Sequence, residues 1–154
     1  MQIRDAKSPA DISVVQGLWR EYWESFSLAP EFQGFDEELR GLPGVYGSHG
    51  GALLLAFSGD DPVGTIALRR LNATSGEVKR LYIRPQFRGQ GLARSLLETV
   101  IERASALGYK ALYADTLPVM TGALNLYKRL GFESAEAYSD TPTPGAIFMK
   151  LKLL

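Results

Sequence analysis

The first helix of the chain is predicted by a stripe of apolar positions. A spacing of three or four residues is kept by Ile12, Val15, Trp19, Tyr22 and Phe26, which is the period of a helix with one buried face. Ser8 before Pro9, with Asp11 three residues on, is typical of a capped helix start. A short strand at Ile3 precedes it. We expect the helix to pack on a flat surface such as a sheet.

Three segments with the pattern of strands follow a second short helix over residues 35–39 and a loop over residues 41–51. The loop is rich in glycine, and we expect it to be mobile or functional. The strand segments cover residues 52–57, 63–71 and 77–84, with turn residues at 58–61 and 72–76 between them. Turns this short predict an antiparallel meander.

The helical period returns over residues 92–107, and Gly108 supplies the left-handed residue that ends the helix. Residues 111–115 have the pattern of a strand, 121–130 of a helix closed by Gly131, and 132–138 and 147–153 of two strands. Since a long helix joins strand 77–84 to strand 111–115, these two strands have to be parallel. The predicted fold class is therefore α/β in the α+β sense: a central mixed sheet in a single domain over residues 1–154.

Composition narrows the chemistry more than the architecture. The chain has 154 residues with 17 basic and 17 acidic side chains, so no overall positive field exists to hold a nucleic acid. It has no cysteine and one histidine, His49, which excludes disulfides, cysteine nucleophiles and metal sites built from His or Cys. No signal segment and no membrane-spanning stretch is evident. We expect a cytoplasmic protein without a metal, a nucleic-acid partner or a membrane.

A glycine-rich run stands where the third meander strand gives way to the long helix. It reads Arg88-Gly89-Gln90-Gly91-Leu92-Ala93-Arg94. Glycines at such a junction let successive backbone N–H groups converge at a helix N-terminus, a geometry that binds phosphate. The run lacks the Gly-Lys-Ser/Thr of a nucleotide-hydrolysing loop and the third glycine of a dinucleotide fingerprint. Taken alone, it could equally be a tight turn.

Positive charge is concentrated around this run although the whole chain is neutral. Against one acid, Glu77, residues 69–94 carry seven basic side chains: Arg69, Arg70, Lys79, Arg80, Arg84, Arg88 and Arg94. Each side chain taken singly could belong to a solvated face. Their concentration suits an anionic ligand and favours an anion site over a simple turn.

The run resembles the signature of the GNAT superfamily of acyl-CoA-dependent N-acyltransferases, Arg/Gln-x-x-Gly-x-Gly/Ala between a strand and a helix. Arg88, Gly91 and Ala93 match it position by position. The strand end over residues 81–85 and the helix over residues 123–132, which contains Tyr127, are similar to further family segments. With the segments 115–118 and 142–149, the similarity extends over most of the chain after Gly51.

The resemblance implies how the cosubstrate acetyl-CoA would be held. In the family, loop amides bind the pyrophosphate of coenzyme A, which places it here on the backbone of residues 88–94. The pantetheine arm would pair with Leu81 and Ile83 like an added strand. An amide near Leu81 or Tyr82 would polarise the thioester carbonyl. The two parallel strands are then expected to splay, with helices on both faces of the sheet.

The same resemblance gives two candidates for proton transfer. Tyr127 occupies the usual general-acid position and would protonate the departing thiolate; alternatively, it only packs its helix on the sheet. Glu77 stands eleven residues before Arg88, where some members carry a glutamate that accepts the amine proton. The alternative is a half-exposed strand carboxylate paired with Lys79 or Arg80.

One position departs from the family pattern. Met120 stands seven residues before Tyr127, where many members have an asparagine that contacts the coenzyme A arm. Thr121 or Asn125 would have to replace it, although Asn125 is expected on a different side of the helix.

The acceptor is expected between the first helix with its following loop and the last two strands. Candidate side chains are Arg20, Tyr22, Trp23, Gln33, Phe35, Tyr138, Asp140 and Ile147. The aromatic ones could instead belong to the core, whereas Arg20 lies off the apolar stripe and could bind a carboxylate.

The resemblance as a whole implies an N-acetyltransferase that moves an acetyl group from acetyl-CoA to a primary amine of a small molecule or peptide. Direct transfer is expected because no cysteine is available for an acyl-enzyme, and homodimers are common in the family. Two other functions stay open: a non-catalytic acyl-CoA sensor or scaffold domain, and a generic phosphate-binding regulator.

Overall fold

The structure is a computed structural model that describes residues 1–26, 34–116, 121–138 and 145–153. Its strands are β1 (Gln2–Asp5), β2 (Ala52–Ser58), β3 (Asp61–Asn72), β4 (Ser75–Ile83), β5 (Ala111–Thr116), β6 (Glu133–Ser134) and β7 (Ile147–Lys152). Its α-helices are α1 (Pro9–Ser25), α2 (Phe35–Arg40), α3 (Leu92–Ala106) and α4 (Thr121–Arg129). Short 3-10 helices cover Gly44–Gly47 and Pro85–Phe87.

One seven-stranded sheet, in the order β1-β2-β3-β4-β5-β7-β6, organises these elements. Neighbouring strands pair antiparallel except for β4 and β5, which pair parallel. The helix α3 connects β4 to β5, because parallel neighbours need a crossover. The mixed sheet with one parallel pair confirms the predicted fold class.

Helices cover both faces of the sheet, and each face has its own hydrophobic core. Under α3 and α4 the core is mostly aliphatic, with Leu96 and Leu112 fully buried. The other core is an aromatic layer under α1 and α2, in which Trp23 stacks on Phe35 with ring centroids 4.1 Å apart. The middle of the sheet is therefore buried on both sides, which fixes the central strands in place.

Local signals place the ends of most elements correctly. The helix α1 begins at Pro9, and the Ser8 Oγ accepts a hydrogen bond of 3.1 Å from the Asp11 N–H, as the capping pattern predicts. The two meander turns are shorter than predicted because the strands extend further into them. In the second turn the Asn72 Oδ1 accepts a hydrogen bond from the Thr74 N–H, which stabilises a tight connection.

The strand predicted over residues 132–138 needs correction. Only Glu133–Ser134 pairs with β7. The segment then leaves the sheet edge, and the Tyr138 ring lies against Tyr113 and Phe148 of the two neighbouring strands. The Ala135 N–H still donates a hydrogen bond of 2.8 Å to the Phe148 carbonyl, so the pairing with β7 ends just after the two-residue strand.

The loop predicted over residues 41–51 is part of the aromatic layer. It contains the 3-10 helix Gly44–Gly47. Within that helix Tyr46 is buried, and its ring meets Trp19 edge-on with centroids 5.6 Å apart. The segment predicted as a mobile or functional loop therefore contains a short helix that an aromatic side chain packs on the core.

Candidate active site

The parallel strands β4 and β5 part before β4 ends. Their pairing runs from Ser75 opposite Ala111 to Val78 opposite Ala114, whereas β4 continues to Ile83. A cavity of about 510 Å³ opens where they part. Its walls come from the second half of β4, the end of β5, the loop after β4 and the start of α3, together with α4 and the end of α1.

The glycine run forms one side of this cavity. Gly89 and Gly91 have φ angles of 80° and 81°, a left-handed conformation that favours glycine. A Cβ built on either would meet no atom within 4 Å, so open space adjoins this backbone. The helix α3 begins at Leu92 without a side-chain cap, and its first N–H groups are therefore available to an anion.

Most of the predicted cofactor-binding residues line the cavity. They are Leu81, Tyr82, Ile83, Arg88, Gly89, Gly91, Leu92, Ala93 and Arg94. Gln90 is not among the lining residues.

The arginine side chains of the run are engaged by the protein. The Arg88 Nε donates a hydrogen bond of 2.9 Å to the Ile83 carbonyl, and its guanidinium lies 5.8 Å from the Tyr82 ring centroid. Arg94 pairs with Glu98 one turn further along α3. The backbone of the run, more than its side chains, is what remains for a ligand.

Arg84 anchors the strand end from which the run starts. Its guanidinium donates to both carboxylate oxygens of Glu21 on α1, with a shortest distance of 2.7 Å. It also donates to the Pro62 carbonyl at 3.0 Å and lies 3.5 Å from the Asp61 carboxylate. One side chain thus ties α1, the start of β3 and the end of β4 together.

Tyr127 lies in the cavity wall on α4. Its side chain is buried, and its ring packs on Phe132 with centroids 5.1 Å apart. Burial raises the pKa of the Tyr127 hydroxyl well above its usual value, and neighbouring groups that include Asp115 raise it further. The hydroxyl therefore stays protonated at neutral pH and is available as a hydrogen-bond donor. Tyr127 therefore packs in the core and also lines the cavity.

Glu77 is buried on β4 and is not among the residues that line the cavity. One carboxylate oxygen accepts a hydrogen bond from the Arg69 Nε and the other from the Tyr138 hydroxyl, each at 2.6 Å. The Lys79 Nζ lies 3.9 Å away, while Arg80 pairs elsewhere. The carboxylate is paired, as the alternative interpretation holds, but it is buried instead of half-exposed and its main partners are Arg69 and Tyr138.

The carboxylate on the cavity wall belongs to Asp115, which sequence reasoning did not select as a site residue. Its side chain is 22% exposed, and its Oδ1 lies 3.8 Å from the Lys79 Nζ. Burial raises the pKa of Tyr22 to about 12, and the Asp115 charge contributes to that rise. Asp115 therefore lies within electrostatic reach of both Tyr22 and Tyr127. Its position at the carboxyl end of a parallel strand, where open sheets bind ligands, was the available signal.

The predicted acceptor residues are not brought together as one group. Tyr22 and Trp23 line the cavity. Arg20 is exposed on α1 and does not line the cavity, and Phe35 is buried in the aromatic layer behind Trp23. Arg20 lies off the apolar stripe of α1, and Phe35 belongs to α2 and stacks on Trp23, so neither side chain lines the cavity.

The remaining predicted residues either do not line the cavity or lie outside the described ranges. Tyr138 contacts Glu77 away from the cavity lining, and Ile147 is half-buried on β7. Asn125 is exposed on α4 and does not line the cavity, so it does not replace the missing asparagine. Gln33, Asp140 and Met120 lie outside the described residues, as does the side chain of Thr121.

The described ranges contain neither a candidate metal site nor a candidate membrane-spanning helix. Within them, no group of three or more His, Cys, Asp or Glu side chains could hold a metal ion. None of the helices described has both the length and the apolar character needed to cross a membrane.

Sequence comparison identifies relatives over nearly the whole chain. Residues 15–132 match the acetyltransferase (GNAT) family. An uncharacterised N-acetyltransferase of Schizosaccharomyces pombe is 32% identical over 155 residues, which cover 99% of this chain and 95% of the relative.

Solved structures share the fold at lower identity. A GNAT-family acetyltransferase from Staphylococcus aureus superposes with a TM-score of 0.86 at 20% identity, covering 99% of both chains. An aminoglycoside 6'-N-acetyltransferase solved in complex with coenzyme A has a TM-score of 0.73 at 15% identity, covering 100% of this chain and 98% of the other. From the sequence match over residues 15–132 and the common fold, we conclude that the chain belongs to the GNAT family of acetyltransferases.

Proposed function

We propose that the protein transfers an acetyl group from acetyl-CoA directly to the primary amine of a small molecule or peptide. The observation that carries this proposal is that one cavity joins an open glycine loop, a gap between two strands and a buried tyrosine hydroxyl. Family membership supports the reaction class. The neighbour solved with coenzyme A supports the acyl donor, and the lack of cysteine in the chain favours transfer without an acyl-enzyme.

The residues present fit coenzyme A. The backbone of residues 88–94 and the N-terminus of α3 would hold the pyrophosphate, with the positive end of the helix dipole facing it. Beyond Val78 the edge of β4 has no strand partner in β5. Its backbone groups can therefore form hydrogen bonds with an extended ligand chain, as they would with an added strand. When bound, the ligand supplies an acetyl thioester to the amine.

The transfer forms one carbon–nitrogen bond and breaks one carbon–sulfur bond. An acceptor ammonium first loses a proton to become a neutral amine, and its nitrogen then bonds to the acetyl carbon. The sulfur leaves with the electron pair of the carbon–sulfur bond and receives a proton. We assign the donation of that proton to Tyr127, which lines the cavity and whose hydroxyl stays protonated, and the second proton released by the nitrogen restores the phenol.

The described lining residues include one carboxylate, that of Asp115, which suits a cationic acceptor. The five basic lining residues suit the anionic cosubstrate, and they are Lys79, Arg80, Arg88, Arg94 and Arg129. Asp115 is partly exposed there and can contact an ammonium group. Glu77 is less suited to direct contact, because Arg69 and Tyr138 engage its two oxygens. We assign to Asp115 the role of accepting the first amine proton. We assign to Glu77 the role of holding Lys79 and Tyr138 in position.

Ligand-dependent melting and thiol release test this function. Acetyl-CoA should raise the melting temperature by mass action, while ATP and NAD at the same concentration do much less. In a panel of primary amines, at least one should release free coenzyme A thiol in proportion to enzyme. Equal shifts with all three ligands would indicate a general phosphate-binding protein. Binding without thiol release across the panel would indicate a sensor or scaffold.

A further inference from the structure

Arg80 is exceptional in the cavity wall because of its backbone conformation. Its φ is 59°, and in the described part of the chain every other residue with a positive φ is a glycine. A side chain is disfavoured in this conformation because its Cβ crowds the following carbonyl oxygen. Such a residue persists only where surrounding contacts hold it.

The unusual φ coincides with a bulge in β4. Ile66 of β3 faces two residues of β4, Arg80 and Leu81, between ordinary pairs on either side. In bulges whose first residue is left-handed, that residue is usually glycine. The bulge lies beyond Val78, in the part of β4 that has separated from β5 and lines the cavity.

The bulge also changes the face to which Arg80 belongs. Side chains alternate between the two faces of a strand, and Val78 lies in the aliphatic core under α3. Regular alternation would send Arg80 into that same apolar core. Instead its guanidinium lies in the aromatic layer, 4.9 Å from the Trp23 ring centroid and 5.2 Å from that of Phe35.

A carboxylate from α2 holds the guanidinium there. The Arg80 Nε and Nη2 each donate a hydrogen bond of 3.2 Å to a different oxygen of Glu38. The Tyr46 hydroxyl donates to the same carboxylate at 2.9 Å. The Arg80 side chain is only 5% exposed, so this two-pronged contact is shielded from water and strongly oriented.

We infer that the Arg80–Glu38 pair sets the bulge of β4 and thereby aims its amide groups at the acyl carbonyl. This rests on the proposed function. Arg80 and Glu38 are then positioning residues, because they act through the backbone and not by contact with the reacting atoms. The helix α2, which supplies Glu38, controls the polarisation of the thioester by holding an arginine in a conformation suited to glycine.

The test uses acetyl-CoA labelled with ¹³C at the carbonyl and bound to the intact protein. Isotope-edited infrared spectra report hydrogen bonding to that carbonyl, so no acceptor is needed. We expect the wild-type protein to show a narrow band at low frequency, and Glu38→Ala to show a broader band at higher frequency. With the best amine of the panel, kcat should fall about 10- to 100-fold, less than the loss of a complete oxyanion donor. The calorimetric Kd for acetyl-CoA should change little.

The double variant Glu38→Ala/Arg80→Gly separates positioning from stability. Glycine adopts the left-handed conformation without a partner, so the band and kcat should return towards wild type. If Arg80 acted instead through its charge, the double variant would stay as impaired as Glu38→Ala. Glu37→Ala is the matched control, since Glu37 is exposed on the same helix.

The outcomes separate this inference from the proposed function. An unchanged carbonyl band in Glu38→Ala, at wild-type kcat, would overturn the positioning role while leaving acetyl transfer intact. Failure of the wild-type protein to bind acetyl-CoA would overturn the proposed function first. Chemical denaturation identifies variants that lose their fold, and Glu38→Gln then serves as the milder substitution, for which a smaller band shift in the same direction is expected.

Discussion

Backbone groups form one side of the cavity, whereas side chains form the other. On the loop side, Gly89 and Gly91 leave backbone groups beside open space, while the arginines of the run turn to protein partners. On the opposite side, the side chains of Tyr127 and Asp115 line the wall. The loop side should therefore tolerate a change of side chain at Gln90, which does not line the cavity, but not a change of backbone conformation. On the opposite side, the loss or replacement of a single side-chain atom should lower the activity.

The strongest test of this contrast is Gly91→Val. A β-branched residue is disfavoured at a φ of 81°, and its side chain would enter the open space beside the helix N-terminus. We expect acetyl-CoA binding to disappear in calorimetry. Gln90→Ala should bind like wild type, because Gln90 does not line the cavity. If Gly91→Val bound acetyl-CoA with wild-type affinity, the loop would be only a tight turn and not a binding site.

Tyr127→Phe examines the opposite side by removing one oxygen. We expect kcat to fall about 10²- to 10⁴-fold with little change in the KM for acetyl-CoA, as for a lost general acid. The melting temperature has to stay near that of the wild type before this is interpreted as chemistry. Full kcat in the variant would leave Tyr127 a packing residue.

The wild-type pH profile gives a second view of Tyr127. Burial raises the pKa of its hydroxyl, so the acid form persists above the usual tyrosine pKa of about 10. The kcat of the wild-type enzyme should therefore show no decline from tyrosine ionisation between about pH 8 and pH 10. A decline within that range, absent from Tyr127→Phe, would contradict the raised pKa.

Asp115→Asn should have a smaller effect that falls on the acceptor. Loss of a charged contact to an ammonium group corresponds to about 1.5 to 3 kcal/mol, or about a 10- to 100-fold lower kcat/KM for the amine. The Kd for acetyl-CoA should not change. Glu77→Gln is the comparison, because Glu77 is buried behind the wall. A larger acceptor-specific loss in Glu77→Gln would reassign the proton acceptor.

The smallest expected effect concerns stability and depends on pH. Burial by itself raises the pKa of Glu38, but the charge and hydrogen bonds of Arg80 outweigh it and lower the pKa below its usual value. A lowered folded-state pKa adds stability above the unfolded pKa of about 4.3, and that stability is lost as pH falls through the folded value. Denaturation should show Glu38→Gln less stable by about 1 to 3 kcal/mol at pH 7. The two proteins should begin to converge as pH falls below about 4.3, and should converge fully only below the lowered pKa of Glu38.

The sequence was sufficient for the loop side because its conformation is encoded locally. Glycine at 89 and 91 permits the left-handed backbone whatever the surroundings, and the apolar period after Leu92 marks the helix that follows. The crossover to β5 then requires a parallel pair. Each step depends on residues close together in the chain, which is why the fold class and the conformation of this loop could be predicted.

The other predicted site residues depend on contacts between residues that are distant in the chain. Arg80 and Glu38 are 42 residues apart, and neither residue type predicts a bulge. Glu77 has the family spacing, but only the fold shows that Arg69 and Tyr138 occupy its carboxylate. Arg20 and Phe35 were selected from two helices whose orientations toward the cavity were not known. Such pairings are set by tertiary packing and leave no local pattern.

Arg84 and Arg88 have a consequence for the entropy of binding. Arg84 joins the end of β4 to α1 and β3, and Arg88 folds back onto the Ile83 carbonyl. The glycine loop is thus fastened at its origin while its peptide groups stay exposed. The conformational freedom of this segment is surrendered when the chain folds, so an arriving ligand does not have to order it. The glycines permit the conformation of the loop, and the two arginines restrain the loop where it starts.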